Sequence, residues 1–551
     1  MIASELRYDM VAEAASLQLR IAQLNSDQLE FFNTITHSIE EAASALFFIQ
    51  GPAGTGKTFL YNVICNHFHS QGKIVLCVAS SGIAAQLLPG GRTSHSRFKI
   101  PIAIHEGSTC DIKRGSLLAG LIQKTALIIW DEVPMQNKYC FEAVSRTLND
   151  ICSVGDDCLF GNIPIVLGGD FAQILPVVQR GNRAQIVQAC LQRSSLWQHF
   201  KILRLKINMR VRNGVENEAF AAWLGQMSHD SRWYGRITLP PYIQSCKTIE
   251  DLCMHVFPQH IIESAPTNYT AFSKRVILAM RNDTVAEFND RVLQQIQGEV
   301  HTYYSVDTVD SGNSEENANL LPSEYLQGLN PSGLPPSIIK LKVGVPIILL
   351  RNLFPKQGLC NGTRMTVTKL GVRCIEAKIL GGEFDGEPKI IPRIQLSSTE
   401  GDLPFTLMRR QLPIRLCFAM TVNKSQGQSL DVVGVDLRSD LFTHGQLYVA
   451  LSRVTDVAGL MVLQRDETPP QTDNIGRKDL RWSRGEDLRV FGKEGKEGSV
   501  TVLDVGWGEC KKSGDWVSNA RMTYGSGGKD PGMEEIGEND RVGYGMMGEI
   551  A

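Results

Sequence analysis

Several shortages in this 551-residue sequence each remove a class of protein. Lys and Arg total 56 against 58 Asp and Glu, a net charge of −2, so no global basic field exists. That argues against a histone-like binder held by bulk electrostatics, though not against an enzyme whose basic residues line one channel. No apolar run approaches the ~20 residues of a membrane span. The start, Met1-Ile2-Ala3-Ser4-Glu5-Leu6-Arg7, shows no signal-peptide architecture. Thirteen cysteines occur singly, with no C-x-x-C pair and no paired Cys/His spacing, which argues against a zinc site or a disulfide framework. Cys152 and Cys158, the closest in sequence, are expected to be reduced thiols, and the cell interior is the expected compartment.

What is present is concentrated in short strings. Gly51-Pro52-Ala53-Gly54-Thr55-Gly56-Lys57-Thr58 fits G-x-x-x-x-G-K-[ST], between the apolar run Ala45-Leu46-Phe47-Phe48-Ile49 and an amphipathic run at 59–68. Strand, glycine turn and helix start are the context that a phosphate-binding loop needs. Gly51, Gly54 and Gly56 let backbone N–H groups curl around phosphate oxygens, and the helix N-terminus adds a positive dipole end. Lys57 is expected to reach the β- and γ-phosphates, and the Thr58 hydroxyl to take a Mg²⁺ position. The expected ligand is a nucleoside triphosphate.

The length implies about three or four structural units. Leu24-Asn25-Ser26-Asp27-Gln28-Leu29 reads as a capped helix start, with Ser26 or Asp27 as N-cap and Phe31, Phe32 and Ile35 on the apolar face. Ile74-Val75-Leu76-Cys77-Val78-Ala79, Leu127-Ile128-Ile129-Trp130 and Ile163-Pro164-Ile165-Val166-Leu167 are near-continuous apolar runs, as buried parallel strands are. Alternation with helical segments predicts a doubly wound α/β domain over 23–200, after a linker at 1–22. Leu203 to Arg210 is expected to open a second such unit, covering 201–296 and 411–467. Between its halves, 297–410 is rich in turn residues and short β pieces and reads as a small β-rich insertion. From 468 to 551 the apolar periodicity fades and glycine accumulates, a composition expected to be disordered or accessory.

Two further strand ends carry chemistry. Trp130-Asp131-Glu132 closes an apolar strand with two carboxylates: Asp131 is suited to holding Mg²⁺ through its waters, and Glu132 to taking a proton from an attacking water. Gly168-Gly169-Asp170-Phe171-Ala172-Gln173 caps the next strand, where Gln173 can hydrogen-bond both a γ-phosphate and that water.

These strings together resemble a superfamily-1B DNA helicase of the petite-integration-frequency (PIF) type, in its fungal and Helitron-transposon branch, over about Leu24 to Leu463. Gln28 matches the family's adenine-reading glutamine. Ala79-Ser80-Ser81-Gly82-Ile83-Ala84-Ala85 and Gly91-Arg92-Thr93-Ser94-His95-Ser96-Arg97-Phe98 resemble the segments that track single-stranded DNA, and Leu205-Lys206-Ile207-Asn208-Met209-Arg210 the motif whose arginine reaches the γ-phosphate. Thr421-Val422-Asn423-Lys424-Ser425-Gln426-Gly427-Gln428 and His444-Gly445-Gln446-Leu447-Tyr448-Val449-Ala450-Leu451-Ser452-Arg453 resemble the two closing helicase motifs. The resemblance implies two RecA-like domains that sandwich ATP, with a β-barrel-like insertion in the second. It implies ATP- and Mg²⁺-dependent movement 5′ to 3′ on single strands, and unwinding of forked or tailed duplexes by a monomer. Its expected settings are recombination, repair and telomere maintenance, or transposition, in the nucleus with the mitochondrion as a second compartment. Arg210 and Arg453 would act as arginine fingers. Ser81, Thr93, His95, Thr421, Lys424 and Ser425 would meet DNA, and Phe98 would stack on a base unless it is a core aromatic.

Departures from the pattern are Pro134 for a usual serine, Ala172 for a larger residue and Asn162 for a usual glycine. None touches a catalytic position. His67-Phe68-His69 imitates a His-apolar-His metal motif, but positions i and i+2 diverge on a helix, so no nickase site is expected. A GTPase is disfavoured because Asn423-Lys424-Ser425-Gln426 lacks the acid of N-K-x-D. The alternative is a transposon helicase fragment or a DNA-binding remnant that no longer turns over ATP.

Overall fold

The computed structural model describes residues 1–41, 45–155, 157–179, 181–209, 214–229, 235–310, 321–331, 333–398, 403–441, 443–464 and 471–474. The chain opens with helices α1 (Ile2–Glu5), α2 (Met10–Ile21) and α3 (Ser26–Glu40). Asn25, one residue earlier than expected, caps α3 in a reciprocal capping box with Gln28. Phe31, Phe32 and Ile35 are buried on the inner face.

The first sheet contains β1 (Leu46–Gln50), β2 (Ile74–Ala79), β3 (Arg92–Thr93), β4 (Thr125–Asp131), β5 (Ile165–Gly169) and β6 (Lys201–Arg204). Their order is β3-β2-β4-β5-β1-β6, and every pair is parallel. The apolar runs are what a sheet covered on both faces requires. Helix α4 (Lys57–Ser70) follows the phosphate loop, and α5 (Gly82–Gln86) follows β2. A parallel sheet sends its strand ends to one edge, so the loops after β1, β2, β4, β5 and β6 share a rim.

Two domain boundaries need correction. Lys201–Arg204 does not open the second unit; it runs parallel to β1, with Ile49 opposite Leu203. A short strand alone cannot say which sheet it joins. Residues 1–22 are no linker either. Asp9 caps α2, Tyr8 stacks on His69 with ring centroids 3.7 Å apart, Arg20 bonds Asn66 at 3.0 Å, and Glu5 pairs with the buried Arg97 at 2.9 Å. His67 instead faces Glu40, so the two histidines diverge.

The second parallel sheet has the order Ala419–Thr421, Arg275–Ala279, Val432–Asp436, Leu460–Leu463, Gln244–Cys246. Between its halves lie antiparallel sheets of five, three and two strands. Ile414–Leu416, expected in the second α/β unit, pairs with Pro346–Leu349 and so extends the β-rich part. That part is not independent: Ile347, Met365 and Val367 share one apolar cluster with Phe257, Phe272 and Phe418. Its buried hub is the ion pair between Arg409 and Asp307 at 2.7 Å, with Arg409 also donating to the carbonyls of Pro335, Leu326 and Leu329. Within the expected tail, Gln471–Asn474 forms a strand beside Gly235–Thr238; the remainder lies outside the described residues. No described helix is long and apolar enough to cross a membrane, and every described cysteine is a free thiol.

Candidate active site

The phosphate loop leaves β1 and turns into α4 through two left-handed glycines, Gly54 (φ 89°) and Gly56 (φ 78°). At Gly51, a Cβ would lie 2.3 Å from Thr55 Oγ1, so only glycine lets the loop close on itself. Lys57 curls back to the carbonyls of Gly51 (2.5 Å) and Pro52 (3.3 Å), covering the place a phosphate would take. Gly54, Gly56, Lys57 and Thr58 line a cleft of about 370 Å³ with Asp131, Glu132, Gln173 and Arg453.

The two carboxylates close β4 in an uncommon backbone state. Glu132 sits at φ 54°, ψ 38°, a left-handed conformation that costs a non-glycine residue on the order of 1 kcal/mol. Its N–H is taken by Asp131 Oδ1 at 2.8 Å. Glu132 is 7% exposed, and burial, then the neighbouring Asp131 charge, push its carboxyl from an ordinary 4.5 up to about 7. Lys57 and Arg453 pull the other way. Burial also raises Asp131, opposed by Lys57. A carboxylate poised near neutrality beside two cations is what general-base work at physiological pH asks for.

Gln173 is 3% exposed, and its Oε1 is buried without a partner at the wall of the cleft. An unpaired buried amide oxygen suits a hydrogen bond that only a bound water or substrate completes. Arg453 arrives from the second domain, its guanidinium braced by the Val449 carbonyl (2.9 Å) and Ser452 Oγ (2.9 Å). Arg210 lies outside the described residues. The segment before it runs along the loop, where Met209 N–H donates to the Gly54 carbonyl at 2.7 Å.

Thr58 and Asp131 reach the same cleft, while no cluster of three or more His, Cys, Asp or Glu ligands occurs among the described residues. Such a site fits a hard cation that keeps waters and brings phosphate oxygens with it.

The structure departs from the expected roles of three residues. Gln28 is buried, its Oε1 taken by the Asn25 N–H at 3.1 Å and its Nε2 by the Thr55 carbonyl at 3.0 Å. It buttresses the loop below Gly56 instead of presenting an edge to a base. Phe98 is fully buried and packs on Trp130 with centroids 5.6 Å apart, so it is a core aromatic and no stacking platform. Ser425 is fully buried and donates to Val422 O at 2.7 Å, closing its own turn. His95 is exposed, and Thr93, Thr421 and Lys424 are half-buried. Ser81 is half-buried too, but its hydroxyl caps α5 by accepting from the Ala84 N–H. Burial also lowers the Lys424 amine, reinforced by Arg415.

Residues 23–231 match the family described as PIF1-like helicase, and residues 324–370 match DNA helicase Pif1, 2B domain. Over these two segments the chain is similar to PIF1-like helicases. It is 28% identical over 475 residues to the human ATP-dependent DNA helicase PIF1, covering 85% of this chain and 65% of that protein. To the ATP-dependent DNA helicase Pif1 of Bdellovibrio bacteriovorus it is 29% identical over 446 residues, 78% of this chain and 88% of the relative. The chain thus spans just under two thirds of the human relative. Among solved structures, Pif1 helicase from Candida albicans matches at a TM-score of 0.57 and 24% identity, over 81% of this chain and 95% of that one. Bacteroides Pif1 bound to single-stranded DNA matches at 0.57 and 22%, over 80% and 92%. At such identities the likeness is one of fold. It agrees with a PIF1-like arrangement of two parallel sheets and a β-rich insertion.

Two site residues were not legible as such in the sequence. Asp170 and Tyr448 meet beside the cleft at 2.8 Å, from strings 278 residues apart. Both stood inside recognisable motifs, but nothing local signals that they touch.

Proposed function

We propose that this PIF1-like chain is an ATP-dependent DNA helicase that moves 5′ to 3′ on single-stranded DNA and unwinds forked or tailed duplexes. One observation carries the reading: the phosphate loop, Glu132 and Gln173 of the first domain share a single cleft with Arg453 of the second. Hydrolysis in such a cleft responds to domain movement, because the second domain supplies charge only when it is closed. Lys57 would swing from the Gly51 carbonyl to the phosphates, and Glu132 would take the proton of a water oriented by Gln173. Arg453, with Arg210 as its proposed partner, would stabilise the charge of the transferring phosphoryl group. Mg²⁺, held by Thr58 and Asp131, would neutralise phosphate charge. Support from relatives is of two kinds: the human protein carries the name ATP-dependent DNA helicase, and a Bacteroides relative is described with ADP-AlF3 and single-stranded DNA. His95, Thr93, Thr421 and Lys424 are the proposed strand contacts.

Finer assignments are part of the same proposal. The fungal and transposon branch is proposed on the motif resemblance; Pro134, a departure from a usual serine, packs its ring beside Gly169, 2.2 Å from where a Cβ would stand. Roles in recombination, repair and telomere maintenance, and a nuclear location, follow from the helicase reading. The deciding experiment offers the full chain 5′-tailed and 3′-tailed duplexes with ATP and Mg²⁺. Unwinding of the 5′-tailed substrate alone is expected. Unwinding of only the 3′-tailed one would reverse the polarity, and absence of DNA-stimulated phosphate release would favour the inactive DNA-binding remnant.

A further inference from the structure

The short helix Gln446–Leu451 of the second domain carries, besides its link to Arg453, a phenol aimed at the phosphate loop. Tyr448 is 3% exposed, and its oxygen accepts the Ala53 N–H at 3.0 Å while its O–H donates to Asp170 Oδ2 at 2.8 Å. Asp170 is itself fixed, since its Oδ1 accepts the Ala172 N–H at 3.0 Å. One hydroxyl therefore joins three pieces: the loop after β1, the loop after β5 and the helix of the opposite domain. The approach is close along the whole contact. Gly445, at φ 74°, faces the carbonyls of Ala172 and Gln173, which would lie 2.4 and 2.6 Å from a Cβ, and His444 Nε2 stands 3.0 Å from the Phe171 carbonyl.

Bond geometry explains why a phenol does this and a phenylalanine cannot. The Ala53 N–H is a donor and the Asp170 carboxylate an acceptor, so a group between them must accept and donate at once, which a hydroxyl does. Tyr448 and Arg453 lie five positions apart, and Arg453 Nε is tethered to the Val449 carbonyl next to Tyr448. Fixing the phenol thus fixes the rotation of the helix and with it the reach of the guanidinium. We propose that Tyr448 is a positioning residue for hydrolysis, a latch that holds the phosphate loop through Ala53 and Asp170 and sets Arg453 against the nucleotide. This rests on the ATP-hydrolysing reading above, but the latch itself is observable without turnover.

The test uses Tyr448→Phe in the full chain, which keeps the ring and removes the hydroxyl. With saturating single-stranded DNA, kcat for ATP is expected to fall about tenfold, the scale of a lost hydrogen bond to a charged group, while KM moves less than about threefold. Unchanged kcat, or a raised KM with kcat retained, overturns the proposal. Asp170→Ala removes the acceptor independently and is expected to give the same split. The double variant is expected to be no worse than the harsher single one, whereas multiplying defects would show that the two do not act together. Hydrogen exchange of the peptide holding Ala53 is expected to quicken in Tyr448→Phe without nucleotide or DNA; unaltered exchange refutes the latch. A wild-type chain silent towards ATP, with exchange still quickened in the variant, would remove the hydrolysis reading and leave the latch standing.

Discussion

Replacing Glu132 with glutamine separates the chemistry of this residue from its cost to the fold. Glu132 and Asp131 are adjacent buried carboxylates, 7% and 5% exposed. Glu132 stays protonated in the folded chain up to about 7, against an ordinary 4.5. Unfolding at pH 8 releases a carboxylate that prefers water, so the raised value is a destabilisation. The sign follows directly: between about 4.5 and 7 the folded state holds a proton that the unfolded state has lost, and stability from this group falls as pH rises through that window. At ~1.4 kcal/mol per tenfold change in proton affinity, ionised Glu132 costs the fold up to about 3 kcal/mol at pH 8 and under about 1 kcal/mol at pH 5. Glu132→Gln, of nearly the same shape, removes that cost. The variant is therefore expected to unfold at higher urea than wild type at pH 8, with the gap largely closing at pH 5. The same variant is expected to lose about 10²-fold or more of its ATP turnover, the scale of a missing general base. Equal midpoints at pH 8, or an advantage that grows towards pH 5, would refute the reasoning about burial and charge. Retained turnover would refute the assignment of the base.

Other consequences are equally direct. The free-enzyme ionisation of Glu132 predicts that kcat/KM for ATP rises with pH below about 7 and levels off above it; a flat profile across that range contradicts it. Phe98→Ala is expected to destabilise the chain by about 3–5 kcal/mol in thermal or urea unfolding, because it empties a fully buried site beside Trp130. Weakened single-strand binding at unchanged stability would restore its stacking role. Arg409→Ala leaves Asp307 buried and unpaired, which costs about 3–5 kcal/mol, whereas Arg409→Met with Asp307→Leu is expected to recover much of that loss. Gly445→Ala forces a left-handed residue with a Cβ against the Ala172 and Gln173 carbonyls, so the cleft should close less fully and kcat should drop, read by steady-state ATP hydrolysis.

Much of the site was readable before any fold was known, and the reason is locality. Gly51 to Thr58 is one loop whose function follows from consecutive residues, and the carboxylates Asp131 and Glu132 sit where a run of apolar residues must end. The misreadings have the opposite origin. Phe98, Ser425 and Gln28 stand inside the expected motifs, yet whether a side chain faces a cleft or a core depends on what packs over it. Phe98 meets Trp130 from another strand, Ser425 satisfies its own turn, and Gln28 spends both ends of its amide on the loop and the helix cap.

Strand membership failed for a related reason. Lys201–Arg204 is a short strand that either parallel sheet could take, and Ile414–Leu416 one that either the second sheet or the β-rich part could take; only pairing with β1 and with Pro346–Leu349 decides them. By itself, then, the sequence determined a phosphate loop, a carboxylate pair and a family pattern, because these are written in runs of adjacent residues. The tertiary structure alone decided that Tyr448 would meet Ala53 across 395 residues, and that Arg453 and Glu132 would share one cleft. Such contacts are set by how two domains pack, and backbone geometry transmits no trace of them along the chain.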